Sequence, residues 1–149
     1  MIRIFLDANV IFTAAHNPQG NGMALFRLAA NTRCDLVSSR YAVDEASRNI
    51  LVKYPECIGE LAGLVASLDL VAEPSAEETR MASGYGLPQK DVPILAAAIA
   101  SKATVLVTGD RRDFGHLYGK IIEGARVLTP AEAVAWAMSS QSAARLRRD

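Results

Sequence analysis

Histidine and cysteine are scarce in this chain, with two of each among 149 residues. Cys34 and Cys57 stand apart with no CxxC spacing, which argues against a zinc ribbon or a disulfide framework and fits a reducing compartment. His16 and His116 fall in no metal-ligand spacing either, and both read as ordinary surface residues. No apolar run approaches the roughly 20 residues that a membrane span needs. The opening "MIRIFLDANVIF" is interrupted by Asp7 and Asn9 and precedes no small-residue cleavage site, so it reads as a strand and not a signal peptide. The expected location is the cytoplasm. Net charge is absent too, with sixteen basic residues against sixteen acidic, so bulk charge points to no polyanionic partner. Twelve of the sixteen basic residues are Arg, the side chain suited to bidentate phosphate contact, which is a weak hint. Repeats, low-complexity tracts and linkers are also missing.

What remains is the composition of a one-domain globular protein, half hydrophobic and about a fifth charged. Short β-leaning runs fall at 2–6, 34–39, 69–73, 104–108 and 126–129. Between them lie helical patterns at 23–32, 40–54, 57–68 and 91–103, a capping box "SAEE" that starts a helix at 75, and a Thr-Pro-x-Glu start at 129–132. Residues 8–22 show turn signals at Asn17-Pro18 and Gly20-Asn21-Gly22. Alternation of strands with helices predicts an α/β domain, a three-layer α/β/α sandwich around a mostly parallel sheet. The domain is expected to span residues 2–138, with 139–149 a polar, frayed tail.

Acids recur where such a sheet places its sites, beyond the carboxyl ends of the strands. Asp7 follows the first strand, and Asp110 follows the apolar run "ATVLV" through "TGD". Asp91 opens the helix that feeds that run, and a helix feeding a parallel strand begins at the rim where the strand ends. Glu45 lies early in the helix after the second strand, near the same rim. If the first and fourth strands are neighbours, four acids converge, and crowded carboxylates call for a cation between them. Oxygen-only donors favour Mg²⁺ or Mn²⁺ over zinc. Each acid also has an ordinary reading. Asp7 is a plausible turn residue and Asp91 a helix cap. Glu45 is a surface helix residue rivalled by Asp44, and Arg111 and Arg112 are solvated loop charges. Gly109 before Asp110 suggests an unusual backbone there.

Taken in order, "FLDANVI", the Glu of "VDEASRN", "KDVPILAAAIASKA" and "VLVTGDRRDF" resemble the PIN-domain nucleases, a family that includes toxin ribonucleases of bacterial toxin–antitoxin pairs. The resemblance implies a metal-dependent endoribonuclease that hydrolyses phosphodiesters of single-stranded RNA, with Mg²⁺ or Mn²⁺ as cofactor. It implies a catalytic set of Asp7, Glu45, Asp91 and Asp110, with Asp7, Asp91 and Asp110 as metal ligands and Glu45 as ligand or water-orienting base. Asp113 matches a further acid that varies in the family, three residues after Asp110 where many members show a two-residue step. Asn9 and Thr108 match small polar positions that support the acids, and Arg111, Arg112 and Lys90 border them where substrate phosphates bind. A cognate antitoxin and a homodimer are the partners implied.

Other readings of the acids fit less well. An aspartyl phosphatase wants a second Asp where Asn9 stands, and a receiver domain wants an acidic pair after its first strand. A catalytically silent RNA-binding or scaffold module on the same fold is the alternative that survives, although none of the four acids is missing.

Overall fold

A computed structural model describes residues 2–31 and 34–148, of which 141–148 are described in backbone course only. Six strands form one sheet in the order β3-β2-β1-β4-β6-β5. The strands are β1 (Ile2–Leu6), β2 (Cys34–Ser38), β3 (Asp69–Leu70), β4 (Val105–Val107), β5 (Ile121–Ile122) and β6 (Ala125–Leu128). Every pairing is parallel except that of β5 with β6. The chain runs outward from β1 to β3 on one side and then restarts at β4 on the other, so β1 and β4 flank the topological switch point.

β4 shows why the sheet is central. Val105, Leu106 and Val107 alternate in direction, yet all three are fully buried, so helices cover both faces of the sheet. The three-layer expectation holds. The helices are α1 (Ala8–His16), α2 (Asn21–Ala30), α3 (Arg40–Lys53), α4 (Ile58–Ala66), α5 (Ala76–Ala82), α6 (Val92–Ala100), the single turn α7 (Arg111–Phe114) and α8 (Pro130–Arg148). None of the described helices is long and apolar enough to cross a membrane.

Local chemistry explains the boundaries. Ser75 and Glu78 bond reciprocally to each other's backbone N–H, closing the predicted capping box of α5. Thr129 and Glu132 do the same at α8. In α3 the buried face runs through Ala42, Ala46 and Ile50, four residues apart. α6 is so short of polar residues that it is buried nearly all round, from Ile94 to Ala98.

Three expectations need correction. Residues 8–16 form α1, a helix that starts at Asp7 itself, and α2 begins at Asn21 within the glycines read as a turn. The strand expected at 69–73 is only two residues long. β5 is an additional strand, joined to β6 by the two-residue turn Glu123-Gly124, both with positive φ, at 48° and 90°. α8 continues through Arg148. Thr32, the expected last residue of the first helical pattern, and Asp149 of the tail lie outside the described residues.

Gly22 lets α2 lie against α1. A Cβ there would come within 3.0 Å of the Val10 carbonyl oxygen and 3.4 Å of the Ala14 methyl. Gly22→Val is expected to lower stability by about 1–3 kcal/mol, read from the urea unfolding midpoint. Unchanged stability would show that the α1–α2 contact is loose.

Candidate metal centre

The last residues of β1 and β4 are paired, Leu6 opposite Val107, and the Asp7 N–H continues the ladder to the Val107 carbonyl at 3.0 Å. Asp7 therefore sits where β1 turns into α1, and its side chain caps that helix: Oδ1 accepts from the Ala8 N–H at 2.6 Å. Oδ2 accepts from the Thr108 hydroxyl at 2.8 Å and from Asn9 Nδ2 at 3.1 Å. Both residues thus support an acid, as expected of them. Burial pushes the Asp7 carboxyl up to about 6, against the lowering effect of these hydrogen bonds and with a further upward push from Glu45.

Gly109 is needed for closeness and not for an unusual backbone. Its φ is not positive; its N–H donates to Asn9 Oδ1 at 2.7 Å, and a Cβ would fall 3.2 Å from that oxygen. Asp110 then caps α7, accepting from the Asp113 N–H at 3.0 Å. This cap turns the one-turn helix so that Asp113 returns toward Asp110. Tyr118 donates to the Thr108 carbonyl at 2.7 Å and holds the segment from the other side.

Asp91 ends a 3-10 turn (Gln89–Asp91) and stands at the start of α6, but its carboxylate makes no capping bond. The reading of Asp91 as a cap therefore fails. Its side chain points to Asp110 and Asp113, and one ligand oxygen from each of the three lies within 4.8 Å of the others. When ionised, Asp91 leaves Oδ2 buried with no hydrogen-bond partner among the described residues, and the Lys90 ammonium stands 3.8 Å away. Burial first, and then proton sharing with Asp113, push the Asp91 carboxyl up to about 7. Asp113 is held below the usual carboxylate range, chiefly by that shared proton and also by Lys90, whose Nζ is 3.3 Å from Asp113 Oδ2. Lys90 is placed by its backbone, since its carbonyl accepts from the Tyr41 hydroxyl at 2.6 Å.

The trio differs from the set read in the sequence. Asp113, the least expected ligand, belongs to it, while Asp7 and Glu45 stand outside it. Asp7 nevertheless acts on Asp91 through its charge, and Glu45 acts on Asp7 in the same way. The rival acids of α3 differ in placement. Glu45 is half-buried, one position before the inward Ala46, whereas Asp44 is exposed and pairs with Arg40 at 3.4 Å. Arg111 and Arg112 are exposed beside the acids, with no ion-pair partner among the described residues. His16 lies elsewhere, stacked on Tyr54 with ring centroids 4.2 Å apart, and His116 bonds the Tyr85 carbonyl through Nε2 at 2.7 Å. The only donors in the trio are carboxylate oxygens, and one of them, Asp91 Oδ2, is buried with no hydrogen bond among the described residues. Such a set suits a hard divalent cation.

A parallel α/β sheet with carboxylates gathered at its switch point is the class of domain that the fold and the site define. The sequence matches the family described as PIN domain over residues 3–112, a span that contains Asp7, Glu45, Asp91 and Asp110. The chain belongs to the PIN-domain family, whose members are in general nucleases. No curated protein matches the sequence. Among solved structures, the chain is similar to VapBC2 from Rickettsia felis bound to a promoter DNA fragment, at 18% identity over 86% of this chain and 98% of that one, with a TM-score of 0.64. It is also similar to PAE2754 from Pyrobaculum aerophilum, at 18% identity over 93% and 96%, TM-score 0.66. DNA-bound VapBC from Salmonella typhimurium matches at 20% identity over 87% and 99%, TM-score 0.63. At these identities the likeness is one of fold.

The raised carboxyls set a pH dependence. Asp7 holds its proton in the folded protein up to about pH 6 but releases it near 3.8 when unfolded, so the folded state binds more protons between those values. Asp91 acts in the same direction and Asp113 in the opposite one. In EDTA, stability is expected to rise as pH falls from 8 toward 5, with Asp7 contributing about 1–1.5 kcal/mol over that range. Urea unfolding across that range checks it. Asp7→Asn should flatten the slope, and a wild type that loses stability on the way down to pH 5 would contradict the burial argument.

Proposed function

We propose that this protein is a metal-dependent endoribonuclease acting on single-stranded RNA, and the toxin of a toxin–antitoxin pair. The observation that carries the catalytic reading is the trio Asp91, Asp110 and Asp113, with a buried oxygen that makes no hydrogen bond among the described residues, at the switch point of a PIN-family sheet. Mg²⁺ or Mn²⁺ bound there supplies an acidified water and neutralises charge on the phosphoryl oxygens.

The side chains divide the remaining work. Asp91, Asp110 and Asp113 hold the ion. Asp7, fixed by Ala8, Thr108 and Asn9, adds negative charge behind the trio and is a further ligand in this reading. Glu45 is assigned to orient the attacking water and accept its proton at the carboxylate, a role its half-buried place near Asp7 supports. Lys90, Arg111 and Arg112 bind backbone phosphates around the cleaved bond, and the two arginines have free guanidinium groups for bidentate contact.

The toxin reading is supported by two of the similar structures, which are VapBC assemblies bound to DNA. It makes an antitoxin protein the partner, a homodimer the working assembly and the cytoplasm the setting. The exposed Leu51, Val52 and Ile58, where α3 meets α4, give a protein partner an apolar surface.

Thermal unfolding with millimolar Mn²⁺ tests the centre without knowledge of the RNA target. Wild type is expected to gain about 2–3 kcal/mol when Mn²⁺ exceeds its Kd a hundredfold. Asp110→Asn keeps the helix cap, so it should fold, lose that response and cut RNA at least about a hundredfold more slowly. Metal stabilisation without RNA cleavage by the wild type would favour the silent binding module. No metal response in the wild type, with or without RNA, would remove the metal centre.

A further inference from the structure

Beside the carboxylates lies a cavity of about 450 Å³, within the size range of small-molecule sites. Asn9 and Gly109 form the partition between the two, joined by their 2.7 Å hydrogen bond, and Asn9 reaches Asp7 from the other end of its amide. The cavity and the Asp7 side of the acidic cluster therefore share a wall.

The lining states what kind of ligand fits. It contains no carboxylate, so it is not a second cation site. Its single cation is Arg111, next to Asp110 and without an ion-pair partner among the described residues. The lining also includes Thr13 of α1, Asn17 just after it and Asn21 at the start of α2. Asn17 spends Oδ1 on the Gln19 N–H and keeps its amide donor, while the side chains of Thr13 and Asn21 make no hydrogen bond among the described residues. Pro130 and Ala131 add apolar surface against which a ring can lie. One guanidinium, a few uncommitted amide and hydroxyl groups and an apolar wall match one phosphate joined to a ribose and a base. A site for bare phosphate would present more cations and less apolar wall.

We propose that this cavity receives one nucleotide of the RNA, the one adjoining the cleaved phosphodiester, with Arg111 on its phosphate and Thr13, Asn17 and Asn21 on its ribose and base. The base preference of cleavage is set there. The use of the cavity in cleavage rests on the nuclease reading; binding of a nucleotide in it does not.

The experiment titrates the four nucleoside 5′-monophosphates, and inorganic phosphate separately, into ¹⁵N-labelled protein in EDTA. The amide signals of Thr13, Asn17, Asn21 and Gly22 are expected to shift with millimolar affinity. One base should bind about fivefold or more tightly than another, and phosphate alone about tenfold more weakly. Arg111→Gln should weaken nucleotides and leave nucleosides unaffected. Asn21→Phe, at an exposed position where the ring fills the cavity, should weaken every nucleotide at least about tenfold; Thr13→Val serves if that variant does not fold. Silence of these amides up to about 20 mM nucleotide, or unchanged binding in both variants, overturns the proposal. Mn²⁺ stabilisation and RNA cleavage by the wild type are followed in parallel. Cleavage without nucleotide binding ends the cavity proposal and leaves the nuclease reading standing. Nucleotide binding without cleavage does the reverse.

Discussion

The parallel pairing of β1 with β4 holds the site together. One backbone hydrogen bond, from the Asp7 N–H to the Val107 carbonyl, fixes the ends of two strands that are a hundred residues apart in sequence. Thr108 follows at once and donates to Asp7, and Gly109 comes close enough to bond Asn9. Asp110 and its one-turn helix can only then reach Asp91. Loss of that register would displace each group in turn, because none of them has a second anchor as strong as the sheet.

The same pairing creates the electrostatic tension of the site. Asp7 and Asp91 are buried near one another's charge, and a third and fourth carboxylate lie close by. The polypeptide relieves this in part with hydroxyl and amide donors on Asp7 and with the Lys90 ammonium on Asp113. Asp91 receives neither, apart from the ammonium at 3.8 Å. The protein holds an arrangement that is costly by itself, as sites that await a cation commonly do.

Much of this could be read from residue order. The alternation of β-leaning runs with helical periods was enough for the layers, and acids after strands were enough for the rim. The ordering of "LDAN", Glu45, "KD" and "TGD" was enough for the family. What stayed hidden has physical causes. α1 begins inside the segment that also supplies Asp7, and Asn-Pro and Gly-Asn-Gly further on made the whole stretch read as turn, although Val10, Ile11, Ala14 and Ala15 keep helical spacing. The β5–β6 turn uses Glu123 at positive φ, where Asn or Asp would have been the legible sign. Asp113 joined the trio because a three-residue step on a helix capped by Asp110 returns it to the same side, and a motif spacing alone does not convey that. Glu45 was separable from Asp44 only after the buried face of α3 was known.

The sheet's two margins have a consequence for assembly. β3 and β5 are each only two residues long, and β5 folds back antiparallel on its neighbour. Margins this short offer almost no free ladder of N–H and C=O groups, so an incoming chain finds no template for β-augmentation. A strand added at either margin would meet at most two residues of ladder, against the four paired positions that join β1 to β2 inside the sheet.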